Sequence, residues 1–195
     1  MRRTAKIGLI TAIVLAVLAV AAPAFGSSTT VRLEGGTPYE RAQVTHALAA
    51  SAFNWSVLPQ RVVVHIGRGV DSGATPGNVW LDANLLDAGR MSWGVVQHEL
   101  AHQVDFLLLR DSQRAELAQL LHASVWAPDG ALLTHASYGQ ERFASTLAWA
   151  FWQSPDNVMA PSANPESGAV APAVFKAAIA RTLGSAARKQ QRRQR

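Results

Sequence analysis

Apolar and polar positions along the chain change period several times, and each change marks an element. Residues 7–22 form one uncharged apolar run. Val31-Arg32-Leu33 alternates, as the start of a first strand would. Thr37-Pro38-Tyr39-Glu40 predicts a helix start, with Thr37 as N-cap, Pro38 at the first helical position and Glu40 closing a capping box. Val44, Leu48 and Ala52 then keep one face apolar to about Phe53. The β-branched run Arg61–Ile66, ended by Gly67, predicts a buried strand, in which His65 reads as a strand residue. Residues 69–77 read as a Gly/Pro-rich loop, Asn78–Asp82 as a short strand and Leu85–Gly89 as a turn into the next element.

That element, Ser92–Leu109, contains no proline and only Gly94 as glycine, and it is apolar on almost every side. Such a helix is buried. Ser112–Trp126 follows as a helix by pattern, with Leu117, Leu120 and Leu121 on one side. Pro128-Asp129-Gly130 reads as a turn and residues 131–137 as loop. Glu141–Trp152 is a third long helix, with Phe143, Leu147 and Phe151 on its apolar face. Proline-rich residues 154–171 read as a long surface loop, and Pro172–Leu183 as a last short helix ended by Gly184. Few strands among long helices predict an α+β domain with a small mixed sheet.

Composition changes this picture at the two ends. Arg2, Arg3 and Lys6 precede the apolar run, and small residues at Ala22-Pro23-Ala24 and Ala24-Phe25-Gly26 follow it, so residues 1–26 read as a secretory signal. An uncleaved N-terminal membrane anchor is the alternative, although 16 apolar residues are short for a span of about 20. The expected location is therefore secreted or extracytoplasmic. Eight of the 18 basic residues lie in this leader and in a basic tail over 185–195. The rest of the chain holds 10 basic against 13 acidic residues, a net −3 behind the overall +5. That balance argues against a nucleic-acid partner. The domain between the ends, residues 27–184, is expected to be a monomer. Without cysteine, any metal must be held by His, Asp or Glu.

The candidate chemistry lies in the buried helix. Val96-Gln97-His98-Glu99-Leu100-Ala101-His102-Gln103-Val104-Asp105 contains H-E-x-x-H. Four residues return a helix to the same face, so His98 and His102 can reach one ion, with Glu99 beside it as a base. Burying two imidazoles and two carboxylates together without a cation would be costly. A catalytic zinc takes three protein ligands. Glu141 is the first candidate for the third, 39 positions beyond His102 at the start of a helix whose stripe is otherwise small and polar. Asp105 is the rival, on the His98 stripe, but three ligands from one straight helix wrap a tetrahedral ion poorly. As a neighbour of the ligands it would orient His102 or a nearby group. His122 and His135 are isolated in sequence, His135 standing shortly before Tyr138 where it could serve as a transition-state donor.

With H-E-x-x-H on one helix and Ser137-Tyr138-Gly139 before Glu141-Arg142-Phe143-Ala144, residues 60–152 resemble the zincin metallopeptidases of the glutamate-ligand (gluzincin) branch. Within that branch the motifs are similar to those of the anthrax lethal factor catalytic domain. The resemblance implies a zincin-like fold, with an active-site helix and a second ligand-bearing helix. It makes His98, His102 and Glu141 zinc ligands, Glu99 the general base and Tyr138 the group that assists the transition state, with His135 in reserve. It also implies that Asn78–Asp82 is the sheet edge on which an extended protein or peptide substrate pairs. Two positions depart: Tyr138 stands closer to Glu141 than in that family, and Ser145 replaces an acidic residue one turn later. The expected activity is zinc-dependent peptide hydrolysis; the alternative is a catalytically silent metal-binding or protein-binding module. Trp80, Trp126 and Trp149 are candidates for the specificity wall.

Overall fold

Strand β2 (Val62–Gly67) carries the alternation that organises the sheet, with Val62, Val64 and Ile66 buried and their neighbours half-buried. One face of the sheet is therefore covered by helices and the other is partly open. In the computed structural model of the chain, residues 30–128 and 133–193 are described, with side chains to residue 184. The leader 1–26 and most of the turn at Pro128-Asp129-Gly130 lie outside the described residues. No described helix is long and apolar enough to cross a membrane.

The architecture is α+β. Four strands form one mixed sheet in the order β1-β2-β4-β3. β1 (Val31–Gly35) and β4 (Asn78–Asp82) flank β2 in parallel, and β3 (Gly73–Thr75) pairs antiparallel with β4. Helix α1 (Pro38–Ala50) makes the crossover from β1 to β2. It begins with the expected capping box, in which the Thr37 amide donates to Glu40 Oε2 at 2.7 Å and the Glu40 amide to Thr37 Oγ1 at 3.3 Å. His65 is a strand residue: it sits 2.9 Å from Asn78 Oδ1 and stacks on Trp80.

Asn78–Asp82 is not the sheet edge that the resemblance implied. The edge on that side of the sheet is β3, inside the stretch read as a loop, where glycines at 69, 73 and 77 hid a three-residue strand. Gln103 explains how so short a strand is held. Its side chain is fully buried and clamps the β3–β4 hairpin, accepting from the Gly77 amide at 2.7 Å. Its amide donates to the Thr75 and Asn78 carbonyls at 2.9 and 3.0 Å.

The short helix α2 (Ala83–Leu86) leads to the motif helix, α3 (Trp93–Leu108). α3 is the central element, packed against α1, β3, β4 and α5 (Gly139–Phe151). Its polar side chains are used on all sides, as when Gln97 donates to the Ala47 carbonyl of α1 at 2.8 Å. Val96, Leu100 and Val104 fill the core with Val64, Leu81, Phe143 and Leu147.

Three boundaries differ from the pattern. α4 (Asp111–Leu120) stops well short of Trp126, because His122 turns left-handed at φ 54° and the chain bends to meet α5. α6 (Pro172–Arg193) runs through Gly184 instead of ending there. A glycine in a helix costs only about 1 kcal/mol and stops nothing by itself. Residues 154–171 are a surface loop only in part: the prolines at 155, 161 and 165 are exposed, but Ser154, Asn157, Met159, Glu166 and Ser167 are buried. Proline and glycine announce irregular backbone, not the exposure of their neighbours.

This loop meets α3 at Gly94, where a Cβ would strike the Asn157 amide oxygen and press on Met159. Asn157 cannot easily retreat, because it donates to the Ala148 and Trp152 carbonyls at 3.1 and 2.7 Å and accepts from the Met159 amide at 2.9 Å. Gly94→Ala should therefore destabilise the fold by about 1–3 kcal/mol through overpacking, although helix propensity alone favours alanine by about 1 kcal/mol. Urea unfolding checks this, and an unchanged or higher midpoint would count against the packing of residues 154–164 on α3.

Candidate metal and active site

Helix α5 has no side-chain N-cap, so its first amides need partners from elsewhere. The carbonyls of Val125 and Trp126 supply them, accepting from the Gly139 and Gln140 amides at 2.8 and 2.9 Å. A Cβ at Gly139 would collide with the Trp126 ring, so glycine is what lets this segment dock. The docking sets where Glu141 points. Ala144, Ser145 and Ala148 on the same helix are fully buried, and their small size lets α5 approach α3 closely.

At that crossing the structure brings His98, His102 and Glu141 together. The two Nε2 atoms are 3.2 Å apart, and Glu141 Oε2 is 3.3 Å from each. All three residues are buried. Donor atoms bonded at about 2.0–2.1 Å in a tetrahedral arrangement, as around zinc, stand about 3.3–3.4 Å apart. Glu141 Oε2 is also buried and forms no hydrogen bond. A buried carboxylate oxygen left unbonded against imidazole nitrogens fits a cation between them. Glu99 completes the motif: it is buried, and its carboxylate joins His98 and His102 in a group with donor atoms within 4.8 Å of one another.

The electrostatics favour positive charge at this point. Burial alone would raise the Glu141 carboxyl, but His102 and His98 together hold it well below the usual carboxylate range. Burial also works against protonated His102, yet the adjacent Glu141 carboxylate raises it above the usual imidazole value. Glu99 is raised, mainly by burial and further by the charge of Glu141, with both histidines opposing. Two buried carboxylates in one site thus differ in environment, one set beside imidazoles and one raised towards its protonated form by burial.

The other residues singled out from sequence separate clearly. Asp105 is buried but turned away. Its carboxylate accepts from Arg114 Nε at 2.7 Å and from Trp126 Nε1 at 3.0 and 3.2 Å, tying α3 to α4 and to the α5 dock. Of the two roles expected of it, orienting His102 or a nearby group, it fills the second: it holds these neighbours and not His102, whose Nδ1 is buried without a hydrogen bond. Tyr138 is the residue before α5, is buried, and does not line the cleft. His135 does line it, with Nε2 3.0 Å from Glu141 Oε2. Trp80, Trp126 and Trp149 form no part of the wall.

The cleft above these groups measures about 140 Å³ and is half open, bounded by Gly73 and Ala74 of β3 and by Phe106 and Gln140. The outer edge of β3, to which no described strand pairs, therefore borders the cluster of His98, His102 and Glu141.

Glu166 went unseen in the sequence, where nothing periodic marks a lone glutamate in a proline-rich stretch. It is buried, and it accepts from Ser145 Oγ at 2.6 Å and sits 2.7 Å from His135 Nδ1. Burial pushes its carboxyl up, but Ser145 and His135 outweigh that and hold it below the usual range. The only local signal was Asn164, whose side chain caps the turn by accepting from the Glu166 amide at 2.9 Å.

No protein-family model matches this chain, and neither does any curated protein or solved structure. The case for the site rests on its geometry.

That geometry separates Glu141 from Asp105 experimentally. Glu141→Gln should weaken divalent-metal binding by tenfold or more, read by competition with a coloured chelator. Asp105→Asn should leave metal affinity within about twofold and lower stability by about 1–3 kcal/mol, since it unpairs buried donors. The reverse pattern would make Asp105 the ligand.

Proposed function

We propose that this protein is a zinc-dependent peptidase with a zincin-like arrangement, in which His98, His102 and Glu141 hold the metal and Glu99 acts as general base. One observation carries the reading: two imidazole nitrogens and a buried, unbonded carboxylate oxygen converge at 3.2–3.3 Å beside a second buried carboxylate. A nitrogen and oxygen donor set without sulfur suits a catalytic zinc, and a purely structural site has no use for Glu99. When bound, the metal would supply Lewis acidity, acidifying water and polarising a carbonyl.

The chain's own groups do the rest. Glu99, raised by burial, accepts a proton from the attacking water and passes it to the leaving amine nitrogen. His135 faces the cleft and is better placed than Tyr138 to donate to the developing oxyanion. The substrate class follows from β3: its outer edge offers main-chain pairing to an extended peptide, held across the scissile bond by the same interaction that builds a sheet. The leader over residues 1–26 supports a secreted or envelope-associated location.

Metal analysis and peptide turnover of the purified full chain test this. One zinc per chain is expected, with hydrolysis of an unstructured peptide library abolished by a chelator and restored by zinc. Glu99→Gln should keep the metal and lose turnover by about 10²–10⁴-fold. Zinc without turnover in the parent chain would leave a silent metal-binding module. Absence of bound metal would overturn the reading.

A further inference from the structure

Ser145 has one hydroxyl hydrogen and two lone pairs, and the structure accounts for all three. At 2.6 Å from Glu166 Oε2 the contact is a short, charge-assisted O–H···O⁻ bond, so the hydrogen goes there. Met159 Sδ, at 3.6 Å, is a longer and weaker competitor for that hydrogen. The oxygen then accepts from Asn164 Nδ2 at 3.2 Å and from His98 Nδ1 at 3.0 Å. A His98 ring that donates through Nδ1 leaves the Nε2 lone pair free, and Nε2 is the atom facing Glu141. The other Glu166 oxygen, Oε1, lies 2.7 Å from His135 Nδ1 and turns the far nitrogen of that ring into the cleft.

We propose that Glu166 is a positioning residue that serves two imidazoles at once, fixing the ligating tautomer of His98 through Ser145 and anchoring His135 directly. Its carboxylate reaches Ser145 on α5 from the 3₁₀ turn Pro165–Gly168. Burial supports the assignment. Ser145 is fully buried, Glu166 is 8% exposed, and both Glu166 oxygens are engaged within the site. Asn164 holds the arrangement by capping Glu166 while its amide donates to Ser145. Second-layer partners of this type typically change metal affinity 10–100-fold. The inference rests on the metal reading above.

The test uses the full chain with zinc alone. Long-range ¹H–¹⁵N spectra of the imidazoles should show both His98 and His135 protonated at Nδ1. In Glu166→Gln, zinc affinity measured against a chelator should fall by about 10–100-fold, and the Nδ1 signals of both rings should shift. Ser145→Ala should weaken zinc comparably while leaving the His135 signal in place, a split that general loosening would not give. If Glu166→Gln fails to fold, the tautomers of the parent chain still decide. A His98 ring protonated at Nε2, or a folded Glu166→Gln chain binding zinc as tightly as the parent, would overturn the anchor alone. A parent chain that takes up no zinc would overturn the metal reading and the anchor together.

Discussion

Everything in this molecule accommodates one awkward burial: a carboxylate, Glu141, pressed against two imidazoles where α5 crosses α3. In a low-dielectric interior such a group is tolerable only when paired with positive charge. The protein spends much of its architecture on making that pairing close. Small, fully buried residues along α5 allow the approach, and α3 is pinned on its remaining sides by Gln97 and Gln103. A helix apolar on nearly every side carries six of its polar groups inward, Gln97, His98, Glu99, His102, Gln103 and Asp105.

The irregular segments are part of the same solution. Residues 123–127 leave α4 early, so that backbone carbonyls can cap α5 and Trp126 can meet Asp105. Residues 154–168 are drawn inward by Asn157, Asn164 and Ser167, which satisfy their own backbone and deliver Glu166 to the far side of the cluster. The β3–β4 hairpin hangs on a single glutamine. Loops that a composition argument assigns to solvent are here the second layer of the site, and hydrogen bonding, not apolar burial, holds them.

The division of labour among acidic residues follows from direction more than from type. Glu141 and Glu99 project into one volume and acquire opposite electrostatic characters there. Asp105 shares the helix and the burial, yet it points to Arg114 and Trp126 and serves the helix packing. Glu40 closes a capping box and pairs with Arg68 at 2.7 Å. With Glu166 behind Ser145 and His135, the five buried carboxylates of the described residues thus divide into two at the cleft, one that supports it and two that hold the packing.

The sequence by itself determined the elements whose information is local. The capping box at Thr37–Glu40, the β-branched run of β2 and the unbroken apolar helix around His98 and His102 each depend on neighbours three or four positions away, and a linear pattern records such neighbours directly. The same reach placed Glu99 beside the two histidines. Tertiary structure alone decided what depends on distant partners: that three residues after Ser72 form the sheet edge, that His135 and not Tyr138 faces the cleft, that Asp105 turns away, and that Glu166 reaches Ser145 from 21 positions on. Periodicity reports which face of an element a residue occupies. It carries no information about which other element lies opposite, because that is set by close packing and hydrogen-bond satisfaction across the whole chain.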